Sequence, residues 1–321
     1  MAIQFRSILA LLTGALLAAC ANAAPAAFAP AAPPIQNAAR ASGAAEAPQA
    51  KSRGGRVLYI ADLDGQPGVG QIHVYTAGMK NPQQLRLITN GTGRPFGLWV
   101  DSKNDLYVAN QTDKYAASVT AFKPGASSPF FTITDLKGQP GSVAVDHAGN
   151  IYVNENVQDE GYVQIFAPGS TTPKATLDTG VGGYAFDPGS MAFDPQGDLL
   201  VAEQAKLALQ IVQLAPGASQ FTPVNFDLTN ITGPGMGIDK AGNVYVASSG
   251  SATVSVFAPG QTEPSRTISS VSAYGLTWVS PRGAVYQASG EYTVDEIAAG
   301  ANSPTQTISC TCSVQGVAES R

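Results

Sequence analysis

The sequence predicts an all-β fold, a six-bladed β-propeller of four-stranded antiparallel blades whose first blade is closed by the C-terminal strand. Three observations predict it. A strand pattern recurs at a period of roughly 40–48 residues, the range of propeller blades. The pattern occurs six times, and the first copy lacks a strand that reappears unpartnered at the far end.

The most regular element is a short apolar strand: RVLYIAD (56–62), NDLYVAN (104–110), GNIYVNE (149–155), GDLLVAE (197–203), GNVYVAS (242–248) and GAVYQAS (283–289). It is apolar at consecutive positions, as in Leu58-Tyr59-Ile60, as expected of a strand buried on both faces between neighbouring blades. A second strand follows each copy, at 71–78, 118–125, 162–169, 210–217, 253–260 and 293–300. Five copies are preceded by a strand rich in Gly, Ala and Ser, beginning at Phe96, Gly141, Gly189, Gly235 and Gly275. Small residues suit the innermost strand, where blades taper and backbones approach closely. The copy at Arg56 has no such strand, whereas Gly316-Val317-Ala318 has no strand after it. The C-terminal segment is therefore expected to supply the missing strand and close the ring.

Turn chemistry orders the strands a to d from axis to rim. Asp146 to Asn150 and Asp239 to Asn243 place Gly149 and Gly242 where a tight a–b turn wants positive φ, with the leading Asp bonding turn N–H groups. Pro124-Gly125, Pro168-Gly169, Pro216-Gly217 and Pro259-Gly260 suit type II turns after strand c. A further proline opens strand d in each copy (Pro82, Pro129, Pro173, Pro223, Pro264, Pro304). Proline cannot donate to a ladder, so d is the edge strand.

The N-terminal region is of another kind. Arg6, an apolar stretch from Ile8 to Leu17 and then Leu17-Ala18-Ala19-Cys20 read as a signal peptide too short to span a bilayer. The last four residues resemble the bacterial lipobox, which implies acylation of Cys20. More than one acyl chain makes such anchoring stable. Residues 1–19 are then the lipoprotein signal peptide, 20–54 the lipidated Cys20 with an Ala/Pro-rich flexible tether, and 55–321 the propeller. Ala21 follows the cysteine where an inner-membrane retention signal has Asp, so the expected address is the bacterial cell envelope, at the outer membrane. A net charge of -5 with no Lys/Arg cluster argues against a nucleic-acid partner.

The unit G-x-x-V-D-x-x-G-N-x-Y-V-A, a strand, then F-A-P-G resembles the NHL-repeat propellers of bacterial secreted proteins. Those include scaffolds, ligand binders and hydrolases, so the fold alone does not choose among them. No nucleophile elbow, zincin, EF-hand or phosphate-loop pattern occurs. The first expectation is thus a monomeric binding or scaffold lipoprotein with a protein or glycan partner and no cofactor.

The alternative is a metal-dependent hydrolase. Strand b ends at Asp62, Asn110, Asn154 with Glu155, Glu203, Ser248 and Ser289, on the face where d–a and b–c loops commonly meet. Oxygen ligands converging there suit Ca²⁺, and Asp or Asn at a strand end equally suits capping of the next turn. The gluconolactonase-like family is similar in having six blades and uses Glu, Asn and Asp around a divalent metal, which singles out Asn110, Asn154, Glu155 and Glu203. Streptogramin lyase-like propellers are similar in repeat but use histidines. Here His73 falls inside a strand c and His147 in an a–b turn on the opposite face. Cys310 and Cys312 form a C-x-C in the last d–a loop. A disulfide or inert thiols are the expected states, since a metal site wants more thiolates or imidazoles than the spacing offers. Trp99 and Trp278 fall at comparable places in strand a, as packing between blades or a stacking platform in the channel.

Overall fold

In a computed structural model of the chain, the described residues are 55–63, 70–111, 117–182, 189–205, 208–233, 235–269, 271 and 275–321. Cys20, the signal segment and the tether lie outside them. Among the described residues no helix is long and apolar enough to cross a membrane.

Six four-stranded sheets form the fold, and each is antiparallel throughout. Five are consecutive meanders. The remaining sheet orders its strands as Val314–Glu319, Val57–Asp62, Gln71–Thr76, Gln84–Ile88, so the C-terminal strand is the innermost strand of the first blade. Its register pairs Leu58 with Glu319, Tyr59 with Ala318, Ile60 with Val317 and Asp62 with Val314. Ser320 completes the pairing, its N–H donating to Val57 O at 2.9 Å and its Oγ accepting from Val57 N at 2.8 Å.

The core explains why strand b reads as continuously apolar. Leu58 and Ile60 enter a cluster with Tyr286, Val294 and Val317, between the sixth and first blades. Their neighbours Tyr59 and Ala61 enter the next cluster with Val100, Leu106 and Phe122, between the first and second. Successive side chains on a strand point to opposite faces, and here both faces are interior. Six such clusters separate the six blades; an open row would have one fewer junction than blades. Each fully buried Leu, Ile or Phe contributes roughly 1.5–3 kcal/mol, so the junctions hold the ring.

Glycine keeps the inner strands in contact. A Cβ at Gly316 would overlap the carbonyl oxygen of Phe96, one at Gly97 that of Gly141, and one at Gly275 that of Gln315. The turns follow their chemistry. Asp146 Oδ1 accepts from Asn150 N (2.8 Å), Asp239 Oδ1 from Ala241 N and Asn243 N (both 2.9 Å), with Gly149 at φ 85° and Gly242 at φ 84°. After strand c, Gly125 (φ 80°) follows Pro124, and Ala126 N donates to Lys123 O at 2.9 Å, as a type II turn requires.

Candidate functional site

The strand-b termini share a capping geometry. Just before strand a of their own blade, Ser313 N donates to Asp62 Oδ1 (2.8 Å), Gly93 N to Asn110 Oδ1 (3.0 Å), Gly138 N to Glu155 Oε2 (2.6 Å) and Thr232 N to Ser248 Oγ (3.2 Å). The repeat thus uses one position to hold the crossing from one blade to the next. That Ser313 takes its place in this series is independent support for the C-terminal closure.

Glu203 is bonded differently. It is buried, and Thr179 Oγ1 of the preceding blade donates to its Oε2 at 2.7 Å. Gly161 makes room for it, since a Cβ there would overlap both carboxylate oxygens. Burial pushes the Glu203 carboxyl from an ordinary 4.5 up to about 7, against hydrogen bonds from Thr179 and Asn154 that pull it down. Glu155 is also raised to about 7 by burial, opposed by the Gly138 and Lys137 backbone N–H groups. Glu155 Oε1, Glu203 Oε1 and Asn154 Oδ1 are buried with no hydrogen-bond partner. Asn154 Nδ2 and Ser142 Oγ both donate to Gly189 O, at 3.4 and 2.6 Å. Asn110 is satisfied, donating to Thr120 Oγ1 at 3.0 Å. Asp62 accepts from Gln71 Nε2 (2.8 Å) and faces His73 Nε2 (3.1 Å). Among the described residues, the only cluster of three or more His, Cys, Asp and Glu with ligand atoms close enough for one ion is His73, Cys310 and Cys312.

A cavity of about 460 Å³ occupies the other end of the channel, among the a–b turns. Its walls are strand-a side chains, chiefly Trp99, Met191, Phe193, Met236, Ile238 and Trp278. Trp99 meets Trp278 edge to face at 5.2 Å and Phe193 at 6.3 Å, so side chains of the second, fourth and sixth blades touch across the axis. Such perpendicular contacts set the positive edge of one ring against the electron-rich face of the other. Polar turn residues form the rim, including His147, Asp194, Lys240 and the C-terminal Arg321. Both tryptophans also pack against the apolar clusters, so junction packing and channel lining are one arrangement.

Several solved structures share this fold. A chain of the nidogen/laminin complex superposes with a TM-score of 0.65 at 15% identity, over 83% of this chain and 99% of that one. Kuenenia stuttgartiensis hydrazine synthase gives 0.60 at 14% identity, over 78% and 83%, and a Bacteroides caccae protein of unknown function gives 0.60 at 10%, over 83% and 99%. The chain is a six-bladed β-propeller. At these identities the likeness is one of fold, which does not by itself assign a function. No family of known proteins and no curated protein matches the chain.

The ligand candidates read from the sequence lie at the opposite face, and of the cavity only Trp99 and Trp278 were expected in the channel, as the stacking platform offered beside packing between blades. The cavity's signal was nevertheless there: large apolar side chains at Trp99, Met191, Phe193, Met236 and Trp278 interrupt strands otherwise made of small residues.

Proposed function

We propose that the protein is a lipid-anchored binding module of NHL-like repeats, held to the bacterial outer membrane through Cys20 and its tether, with the a–b end of the channel as its binding site. The observation that carries this reading is the aromatic-walled cavity of about 460 Å³, within the size range of small-molecule sites and with their usual apolar wall and sparse polar rim. It suits a flat or aromatic group with a polar end, which can be a small ligand or a side chain of a protein or glycan partner.

The chain has two tryptophans, and both line the cavity, so intrinsic fluorescence reports its occupancy. Anilinonaphthalene sulfonate, a flat apolar anion, is expected to bind the full chain saturably and quench that emission. Trp278→Ala should weaken binding at least tenfold, about 1.4 kcal/mol, while the melt stays cooperative. Probe binding that leaves tryptophan emission unchanged would exclude the channel. Cys20→Ser should move the protein from the detergent phase to the aqueous phase.

A second reading, a metal-dependent hydrolase using Asn110, Asn154, Glu155 and Glu203, is favoured by one observation. Glu155 and Glu203 each keep an unpaired buried oxygen and a carboxyl pushed up to about 7, the range of a general acid or base. Retained stoichiometric Ca²⁺ with lactone turnover abolished by Glu203→Gln supports it; turnover untouched by that change rejects it.

A further inference from the structure

We propose that Cys310 and Cys312, in their dithiol state, form with His73 a buried binding site for a thiophilic d¹⁰ cation, Cu(I) by its ligand count. Closure of the ring makes this site. The loop from Gln306–Ser309 to Val314–Glu319 carries both cysteines to the first blade, where His73 lies on strand Gln71–Thr76. Relative exposure is 3% for His73, 6% for Cys310 and 0% for Cys312. A ring nitrogen of His73 and the two Sγ atoms lie within 4.8 Å of one another. Ligands at the usual 2.0–2.3 Å from a shared ion are at most about 4.6 Å apart, so once the disulfide opens and the two sulfurs part, all three groups are within reach of one ion.

The histidine is set up for this role. Its Nε2 faces Asp62 Oδ2 at 3.1 Å, and because a carboxylate only accepts, that nitrogen carries the proton. In the neutral ring Nδ1 then holds a lone pair, and Nδ1 is buried with no hydrogen-bond partner. A buried polar atom left without a partner calls for a physical reason, and a metal ligand is one. Asp62 would act as a positioning residue, fixing tautomer and ring orientation as carboxylates do behind metal-bound histidines.

In the structure the two sulfurs are joined as a disulfide, the metal-free state. Reduction by a dithiol passes two electrons and two protons to the two sulfurs and leaves the reductant as its own disulfide. The thiols release their protons when the metal binds. Soft thiolates favour Cu(I) and Zn²⁺. No fourth His, Cys, Asp or Glu joins the cluster among the described residues; structural Zn²⁺ takes four ligands, whereas Cu(I) is satisfied by three.

The test uses the full chain with Cys20→Ser, reduced with a dithiol that is then removed under anaerobic conditions, and titrated with Cu(I) against a competing chelator. One equivalent is expected, with a thiolate-to-copper band in the ultraviolet and a higher melting temperature. His73→Ala should weaken binding at least tenfold and Asp62→Asn by about 10–100-fold, and the disulfide form should bind none. Bound copper should also shield both thiols from iodoacetamide, a readout that does not depend on a cysteine variant folding. Failure of the reduced protein to hold copper against the chelator overturns the site, as does equal affinity in a cooperatively melting Cys310→Ser/Cys312→Ser variant. Preference for Zn²⁺ with the same dependence on His73 keeps the site and overturns the copper assignment.

Discussion

Asp62 and Glu203 occupy the same position of the repeat and end among different hydrogen-bond partners. At the junction of the sixth and first blades, Asp62 receives the Ser313 N–H, the Gln71 amide and the His73 ring. At the junction of the third and fourth, Glu203 receives the Thr179 hydroxyl on one oxygen, while the other is buried without a partner. Glu155 has the same length and caps its own crossing through Gly138 N, so what sets Glu203 apart is the neighbouring blade, where the Thr179 hydroxyl and the room beside Gly161 receive it. At Glu203 the cost of burial outweighs the hydrogen bonds it receives and shifts the carboxyl toward the neutral form. The closing junction has a second device at its far end, where Arg56 Nη1 and Arg282 Nη2 reach the buried Glu319 at 3.4 and 2.6 Å.

The comparison breaks most severely if the closing strand is dispensable. Deleting 314–321 removes the inner strand of the first blade and side chains from two apolar clusters, so loss of cooperative melting is expected by circular dichroism. A cooperative transition near the wild-type temperature would mean that the seam does not hold the ring.

Next in size, Glu203→Gln and Asp62→Asn should act with opposite sign. Glu203 binds its proton more tightly folded than unfolded, so the stability it allows is complete below about pH 4.5 and is lost as pH rises through about 7. Glu203→Gln should therefore stabilise by up to about 3 kcal/mol at pH 8 and change little at pH 4, measured by denaturant unfolding at both pH values. Asp62→Asn, which loses charge-assisted bonds at the seam, should destabilise by about 1–3 kcal/mol at pH 8. The same sign for both would refute the contrast.

The smallest effect is expected at the rim of the seam. Arg56 is 30% exposed and Glu319 keeps Arg282, so Arg56→Ala should cost about 1 kcal/mol or less. Comparison of melting temperatures at low and high salt checks it, since a screened pair loses its contribution in salt.

Much of this molecule is local and therefore readable along the chain. The a–b turns follow from Asp and Gly at fixed offsets, the c–d turns from Pro-Gly, and the doubly buried strand b from consecutive apolar residues. Each depends on neighbours a few positions away. The absence of strand a before Arg56 was legible in the same way, because a repeat defines what is missing from it. The candidate site was legible only in part. The strand-end residues were identifiable, but whether each caps its own crossing, as Asp62, Asn110 and Glu155 do, or reaches the adjacent blade, as Glu203 does, depends on what the packed neighbour offers, here the Thr179 hydroxyl and the space beside Gly161.

The sequence by itself determined the strand, the turn, the blade and their number, since hydrophobic period and turn chemistry act over short spans of chain. Only the tertiary structure decided which distant residues meet: Trp99 with Trp278 across the axis, and His73 with Cys310 and Cys312 at the seam. Those meetings arise when the last strand pairs with the first blade, and ring closure is a property of six units packed together that no single unit carries.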